Sequence, residues 1–185
     1  GLSHPGAKLE IQTPNWYVFK ISDTGEAGKD AAIWFGGFRD YKHGETNWCT
    51  SDANPSYNAF DSYIKRGPLY VLIPKNDNGE VGERTGLPTE RYQFHFQDNM
   101  FMDRLDKSID LVEFLSNQDQ ELKDYFKPEF AKGLSSINGK KVENSNGHWN
   151  LTCICPNHHR MFHNGKIGKE KFILCSIISG GPAIS

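Results

Sequence analysis

The strictest constraint on the fold comes from residues 92–96, Tyr-Gln-Phe-His-Phe, where aromatic and polar side chains alternate. Successive side chains of a strand point to opposite faces, so a period of two predicts a β-strand. Residues 69–73 form a compact apolar run between Pro68 and Pro74, which is typical of a buried strand. Residues 76–89 hold three Gly and one Pro among charges and predict a long exposed connection. Together these segments predict a hairpin with an enlarged loop.

The rest of the chain favours short elements of both kinds. Residues 9–21 predict a strand with an irregular entry at Pro14, residues 25–30 a turn, and residues 33–35 a strand. Residues 57–66 predict a short helix, and residues 108–126 one or two helices closed by Pro128. Residues 132–147 are typical of a linker or loose hairpin, and residues 172–178 of a last strand. We therefore predict an α+β fold with a mostly antiparallel sheet and a few short helices.

Composition indicates a globular chain with an unevenly placed charge. Apolar residues make up 37% and aromatic residues 12%, enough for a core without disulfides. Residues 132–171 carry seven Lys or Arg against two Glu, a local charge of +5, so the remaining residues carry −7. A polyanion would therefore meet the C-terminal part, although a cluster of solvated lysines has the same pattern. No apolar run approaches the roughly 20 residues that cross a bilayer, so we expect no membrane partner.

The C-terminal segment concentrates metal-ligand side chains. His159 and His163 are four residues apart, so on a helix their imidazoles project from one face and can share a metal ion. Pro156 suits the first turn of such a helix. Cys155 and His158 have the spacing of half a structural zinc site. Further soft ligands are available nearby, namely Cys153 and, if the last strand folds back, Cys175.

These residues resemble the HNH, or ββα-metal, nuclease family over roughly residues 140–171. The resemblance implies a C-terminal ββα-metal-like knuckle in which His159 and His163 ligate a divalent ion, Zn or Mg. It implies that Asn150 orients the general base and that Cys155 and His158 are remnants of the knuckle. The expected nucleic-acid contacts are the basic side chains of this segment: Lys140, Lys141, Arg160 and Lys166.

The segment departs from the family pattern upstream of Asn150. The family takes its general base from a histidine well before that Asn, but residues 96–147 contain no histidine. His148 is too close to Asn150 to lie on the partner strand. His95 or Glu143 could substitute only if the fold brings one of them near. The general base is therefore not identified, and the sequence leaves open whether the chain cleaves nucleic acid.

The N-terminal part resembles an uncharacterised module of tailed phages over roughly residues 38–114, through the motifs Trp-Cys-Thr at 48–50, Gly-Pro-Leu-Tyr at 67–70, Tyr-Gln-Phe-His at 92–95 and Phe-Met-Asp at 101–103. The resemblance implies a phage or prophage origin and no particular reaction. Cys49 and His95 would form a nucleophile pair if they were adjacent, with Asp103 as a third member. The alternative is a small buried cysteine and a structural histidine.

The sequence thus predicts two parts, an aromatic-rich α+β module at residues 1–131 and a basic HNH-like segment at residues 132–185. The first hypothesis is a phage-type protein that binds metal and nucleic acid, as a degenerate or partial endonuclease. The second is a non-enzymatic virion or host-interaction protein with a structural zinc-type knuckle, and the third is a Cys/His enzyme. DNA and a phage or host protein are the expected partners, without a small-molecule cofactor. Because nothing at the N-terminus resembles a signal peptide, we expect the host cytoplasm or the virion.

Overall fold

The computed structural model describes residues 2–41, 43–75 and 79–138. The chain divides into two compact units, residues 1–110 and 111–185. The predicted boundary after residue 131 falls inside a helix and stays a prediction. The predicted knuckle and the last strand lie outside the described residues.

The first unit is built on a five-stranded antiparallel sheet. Its strands are β1 (Lys8–Gln12), β2 (Trp16–Ile21), β3 (Leu69–Pro74), β4 (Tyr92–His95) and β5 (Met100–Met102), and they lie in the order β1-β2-β3-β4-β5. The helices α1 (Glu26–Phe35) and α2 (Phe60–Ile64), with the 3-10 helix Cys49–Ser51 between them, connect β2 to β3. The predicted α+β class and antiparallel sheet are confirmed, as is the pairing of β3 with β4.

Three N-terminal predictions are wrong. Residues 9–21 form two paired strands rather than one, because the chain turns at Pro14. The Thr13 side chain accepts the Trp16 backbone N–H at 3.0 Å and fixes that turn. Residues 26–30 and 33–35 lie in one helix, α1, with Gly25 as its N-cap, rather than in a turn and a strand. Its buried face consists of Gly28, Ala31, Ala32 and Phe35, the three-to-four-residue spacing of a helix packed on a core.

Both faces of the sheet contribute buried side chains. On one face, β2 and β3 pack with α1, α2 and Trp48 into a core that contains Phe19, Ile21, Ala31, Ala32, Phe35, Trp48, Phe60, Ile64, Leu69, Val71, Ile73 and Leu87. On the other face, Val18, Tyr70, Leu72 and Phe94 are buried as well. The polar residues of β4, Gln93 and His95, are 7% and 2% exposed. The alternation of aromatic and polar residues at 92–96 therefore does not correspond to one buried and one solvent-exposed face.

The second unit begins with α3 (Leu111–Ser116) and α4 (Gln120–Asn138). These helices confirm the prediction of helical structure in residues 108–126. Pro128 does not close α4 but lies inside it, and residues 132–138 are helical rather than part of a linker. Proline removes one backbone donor from a helix, which packing of the helix can outweigh. Among the described residues, no helix is both long enough and apolar enough to cross a membrane.

Candidate functional site

The residues predicted to bind metal or nucleic acid lie outside the described part of the chain. They are Asn150, Cys153, Cys155, His158, His159, His163, Lys140, Lys141, Arg160 and Lys166, and with Cys175 and Glu143 they stay predictions. Among the described residues, no group of three or more His, Cys, Asp or Glu side chains is placed to hold a metal ion. The site that can be described is the one around Cys49 and His95.

Cys49 and His95 line the same small recess in the first unit. The sheet forms its floor through Gln93 and His95 of β4 and their direct cross-strand partners in β5, Met102 and Met100. These four side chains share one face because paired residues of antiparallel strands point the same way. The recess has room for about one water molecule.

Hydrogen bonds to the sheet and to the turn after β5 place the Cys49 backbone over this floor. The Trp48 indole N–H donates to the carbonyl of Asp103 at 2.7 Å, and Trp48 is fully buried. The Asn47 N–H donates to the Arg104 carbonyl at 2.8 Å. The Thr50 hydroxyl and the Gln93 amide bond each other at 2.9 to 3.0 Å. These three hydrogen-bonded links explain why the Trp-Cys-Thr motif lies against β4 and β5, which are distant from it in the chain.

The Cys49 thiol is half-buried, and burial raises its pKa. The interaction with the Tyr63 side chain lowers the pKa of Cys49 without overcoming the effect of burial. Burial also raises the pKa of Tyr63 and of Asp106, which line the recess together with Cys49. Asp106 adopts a left-handed backbone conformation with φ 61°. A nucleophilic cysteine needs a thiolate, so this environment does not favour attack by Cys49.

The imidazole of His95 is engaged at both nitrogens. Nε2 lies 3.1 Å from the Tyr63 carbonyl and 3.2 Å from the Gly67 carbonyl, so it carries the proton and donates. Nδ1 accepts the Asp98 backbone N–H at 3.3 Å. Neither nitrogen is directed at the Cys49 thiol, and the geometry argues against His95 as the base of a Cys/His pair.

Asp103 does not complete a triad either. Its carboxylate accepts the backbone N–H groups of Leu105 and Lys107 at 2.8 and 2.9 Å and so closes the turn after β5. Cys49 and His95 thus line one recess, the condition that the Cys/His hypothesis set, but their hydrogen bonds are those of structural residues.

An ion-pair cluster lies beside the recess. Arg66 donates to both carboxylate oxygens of Asp98 at 2.6 to 2.9 Å, and its guanidinium lies 5.1 Å from the centre of the Tyr63 ring. Asp98 Oδ2 also lies 3.2 Å from Nδ1 of His95. Burial lowers the pKa of His95 despite this carboxylate, while Arg66 holds the pKa of Asp98 below its usual range.

Acidification should therefore destabilise the fold through His95. The unfolded state takes up a proton near pH 6.5, and the folded state resists it because its pKa is lowered. This contribution to stability is complete above pH 6.5 and is lost as the pH falls toward the folded pKa. In urea unfolding between about pH 5 and 8, the free energy of unfolding should depend less steeply on pH in His95→Gln than in the wild type. The exposed His43 is the control, and a wild-type slope in His95→Gln would contradict the assignment.

The sequence did not point to Tyr63, Asp106, Met100 or Met102 as parts of this site. Tyr63 lies in the segment that was predicted only as a short helix, residues 57–66, and Met102 was named only as part of the Phe-Met-Asp motif. Asp is one of the few residues that tolerates the left-handed conformation of Asp106, but that tolerance does not identify the turn in advance. Each joins the recess through contacts distant in sequence.

The chain matches no family model, and comparisons with curated proteins and with solved structures give no significant similarity. The recess and the C-terminal motif must therefore be interpreted from their own chemistry.

Proposed function

We propose that this protein is of phage type and binds a divalent metal ion and nucleic acid through residues 132–185. The single observation that carries the proposal is the spacing of His159 and His163, one helical turn apart directly after a Cys-Pro-Asn-His sequence. The local charge of +5 supports a polyanionic partner. DNA is the partner we favour, in the host cytoplasm or the virion.

In this proposal His159 and His163 hold the metal, with Cys155 and His158 as knuckle residues and Asn150 beside them. A divalent ion supplies a Lewis acid that polarises a phosphate oxygen. Lys140, Lys141, Arg160 and Lys166 attract the phosphate backbone and position it, without reading its sequence.

The proposal favours binding over rapid cleavage, as expected of a degenerate or partial endonuclease. Hydrolysis needs a base to activate water, and residues 96–147 contain no histidine. The ring nitrogens of His95 are bonded to backbone groups, so His95 is not the missing base. Glu143 is left as the candidate named by the sequence.

Metal analysis, DNA retention and nicking test the proposal together. We expect His159→Ala and His163→Ala each to lower the metal content, whereas exposed His43→Ala leaves it unchanged. Replacing Lys140, Lys141 and Arg160 by Ala should reduce the slope of log affinity against log salt by about 0.9 for each phosphate that the protein no longer neutralises. Nicking of plasmid DNA with Mg²⁺, Mn²⁺ or Ni²⁺ should stay near the level of His163→Ala. Full metal content in both histidine variants, or a salt slope unaffected by the basic substitutions, would refute the proposal.

A second candidate is a non-enzymatic virion or host-interaction protein with a structural zinc-type knuckle. The Cys155-x2-His158 spacing favours it, because that is half of a closed zinc site. Structural zinc contributes directly to folding, so chelation would then lower the melting temperature while DNA retention is absent at every salt concentration. Under the first proposal DNA retention is present and salt-dependent.

A further inference from the structure

Three sulfur-containing side chains line the recess described above. Cys49 covers it, and Met100 and Met102 of β5 form part of its floor. The whole chain has three methionines, and two of them meet here beside a free cysteine. Two Met residues and a Cys in a space for about one water molecule form an unusual concentration of soft ligands.

The strand β5 directs both methionines to the recess. Residues 100 and 102 share one face of the strand, and Phe101 points to the other, where its ring lies 5.4 Å from that of Phe94 and 5.2 Å from that of Phe96. The pairing of Met100 with His95 and of Met102 with Gln93 fixes the register. A one-residue slip would bury the methionines among the phenylalanines instead.

We propose that this recess binds a single thiophilic monovalent cation, Cu(I), through Cys49, Met100 and Met102. Thiolate and thioether ligands select soft d¹⁰ ions, and such ions accept low coordination numbers. Binding forms a metal–sulfur bond at Cys49 and releases the thiol proton to solvent, while the two thioethers donate lone pairs and change no charge. The metal keeps its oxidation state.

Neighbouring groups are compatible with such an ion and give the site its selectivity. Tyr63 lines the recess together with Cys49, and a tyrosine hydroxyl there can donate to a thiolate while the thiolate binds a metal. The Ser108 hydroxyl donates to the Met102 sulfur at 3.7 Å, and a thioether sulfur has a second lone pair for a metal. His95 is committed to backbone groups and does not serve as a ligand. Mg²⁺ and Ca²⁺, which require oxygen ligands, should not compete.

The backbone of Cys49 is held in position in the absence of an ion. The bond from Trp48 to the Asp103 carbonyl and the Thr50–Gln93 pair fix the Cys49 backbone over β4 and β5. A preformed site loses less conformational entropy on binding.

The test is anaerobic titration of the full chain with Cu(I) against a chromophoric chelator. Cys153, Cys155 and Cys175 are first replaced by Ser so that the C-terminal thiols do not bind the probe. We expect one ion per chain, lost in Met100→Leu/Met102→Leu and retained in the matched control Met161→Leu. Tyr63→Phe should weaken binding by roughly tenfold or more. Leu replaces Met with little change in volume, so the double variant should fold.

A second readout follows the Cys49 thiol in the same serine-substituted chain. Under anaerobic conditions, one equivalent of Cu(I) should slow the labelling of Cys49 by iodoacetamide, as measured by peptide mass spectrometry, and should not slow it in Met100→Leu/Met102→Leu. Labelling of Cys49 that Cu(I) does not slow, or unchanged stoichiometry in the double Leu variant, would overturn the proposal. Neither readout is measured at His159 or His163, so the outcome is independent of the proposed function.

Discussion

Replacing Arg91 with Met is expected to lower the free energy of unfolding by about 3–5 kcal/mol. Arg91 is fully buried, and its guanidinium donates to Glu45 Oε2 and to the Phe35 carbonyl, each at 2.7 Å. Without it, Glu45 remains as a nearly buried charge, 9% exposed, that lacks its ion-pair partner. Breaking a buried pair on one side leaves an uncompensated charge, which is far costlier than losing a surface pair.

The Glu45 carboxylate also stabilises the loop that precedes β4. Glu45 accepts the backbone N–H groups of Arg84 and Thr85 at 2.7 and 3.0 Å. Although burial alone would raise the pKa of Glu45, the bonds from Thr85 and Arg91 hold it below its usual value. Arg91→Met should therefore also make residues 79–90 more susceptible to limited proteolysis.

The matched control for Arg91 is Arg104, whose pair with Glu90 is 3.9 Å long and solvent-exposed on both sides. Arg104→Met should change stability by at most about 1 kcal/mol. In chemical denaturation, Glu45→Gln combined with Arg91→Met should lower the free energy of unfolding by less than the sum of the two single effects, because the two side chains interact directly. Equal effects of Arg91→Met and Arg104→Met would show that the buried pair does not contribute as described.

Trp48→Ala is expected to lower the free energy of unfolding by about 3–5 kcal/mol, the range for removing a fully buried large aromatic side chain. Trp48→Phe separates the packing from the hydrogen bond, because it keeps a ring but leaves the Asp103 carbonyl without its indole donor. That variant should cost about 1–3 kcal/mol. Alkylation of Cys49 should become faster in both variants, since Trp48 positions the adjacent residue over the recess.

Trp34, which is only partly buried and stacks on His4, provides the comparison. Trp34→Ala should destabilise less than Trp48→Ala and should leave the alkylation rate of Cys49 unchanged. Denaturant unfolding measures the first effect, and the time course of iodoacetamide labelling, with Cys49 resolved by peptide mass spectrometry, measures the second. A Trp48→Phe variant as stable as the wild type would mean that the Asp103 carbonyl finds another donor.

Where local pattern and tertiary packing agree, the sequence predicted the element. The hairpin of β3 and β4 follows from an apolar run, an alternating run and a loop with three glycines, and it is present as predicted. The predicted turn and strand at α1 were wrong, because glycines such as Gly25 and Gly28 locally favour a turn over a helix. Gly28 is needed there: a Cβ would lie 2.0 Å from the Asp23 carbonyl oxygen, so the close approach of helix and preceding turn requires glycine.

The sequence by itself determined the α+β class, the antiparallel pairing of the strongest strands and the four-residue spacing of His159 and His163, because periodicity and short-range spacing are local properties. Only the tertiary structure decided that Cys49 and His95 share a recess while His95 bonds to backbone groups, and that Met100 and Met102 complete its floor. Those relations depend on hydrogen bonds between residues far apart in the chain, such as Thr50 with Gln93, 43 positions apart, and Trp48 with Asp103, 55 positions apart. Local propensities carry no record of such pairings, since the packing of the whole unit selects them.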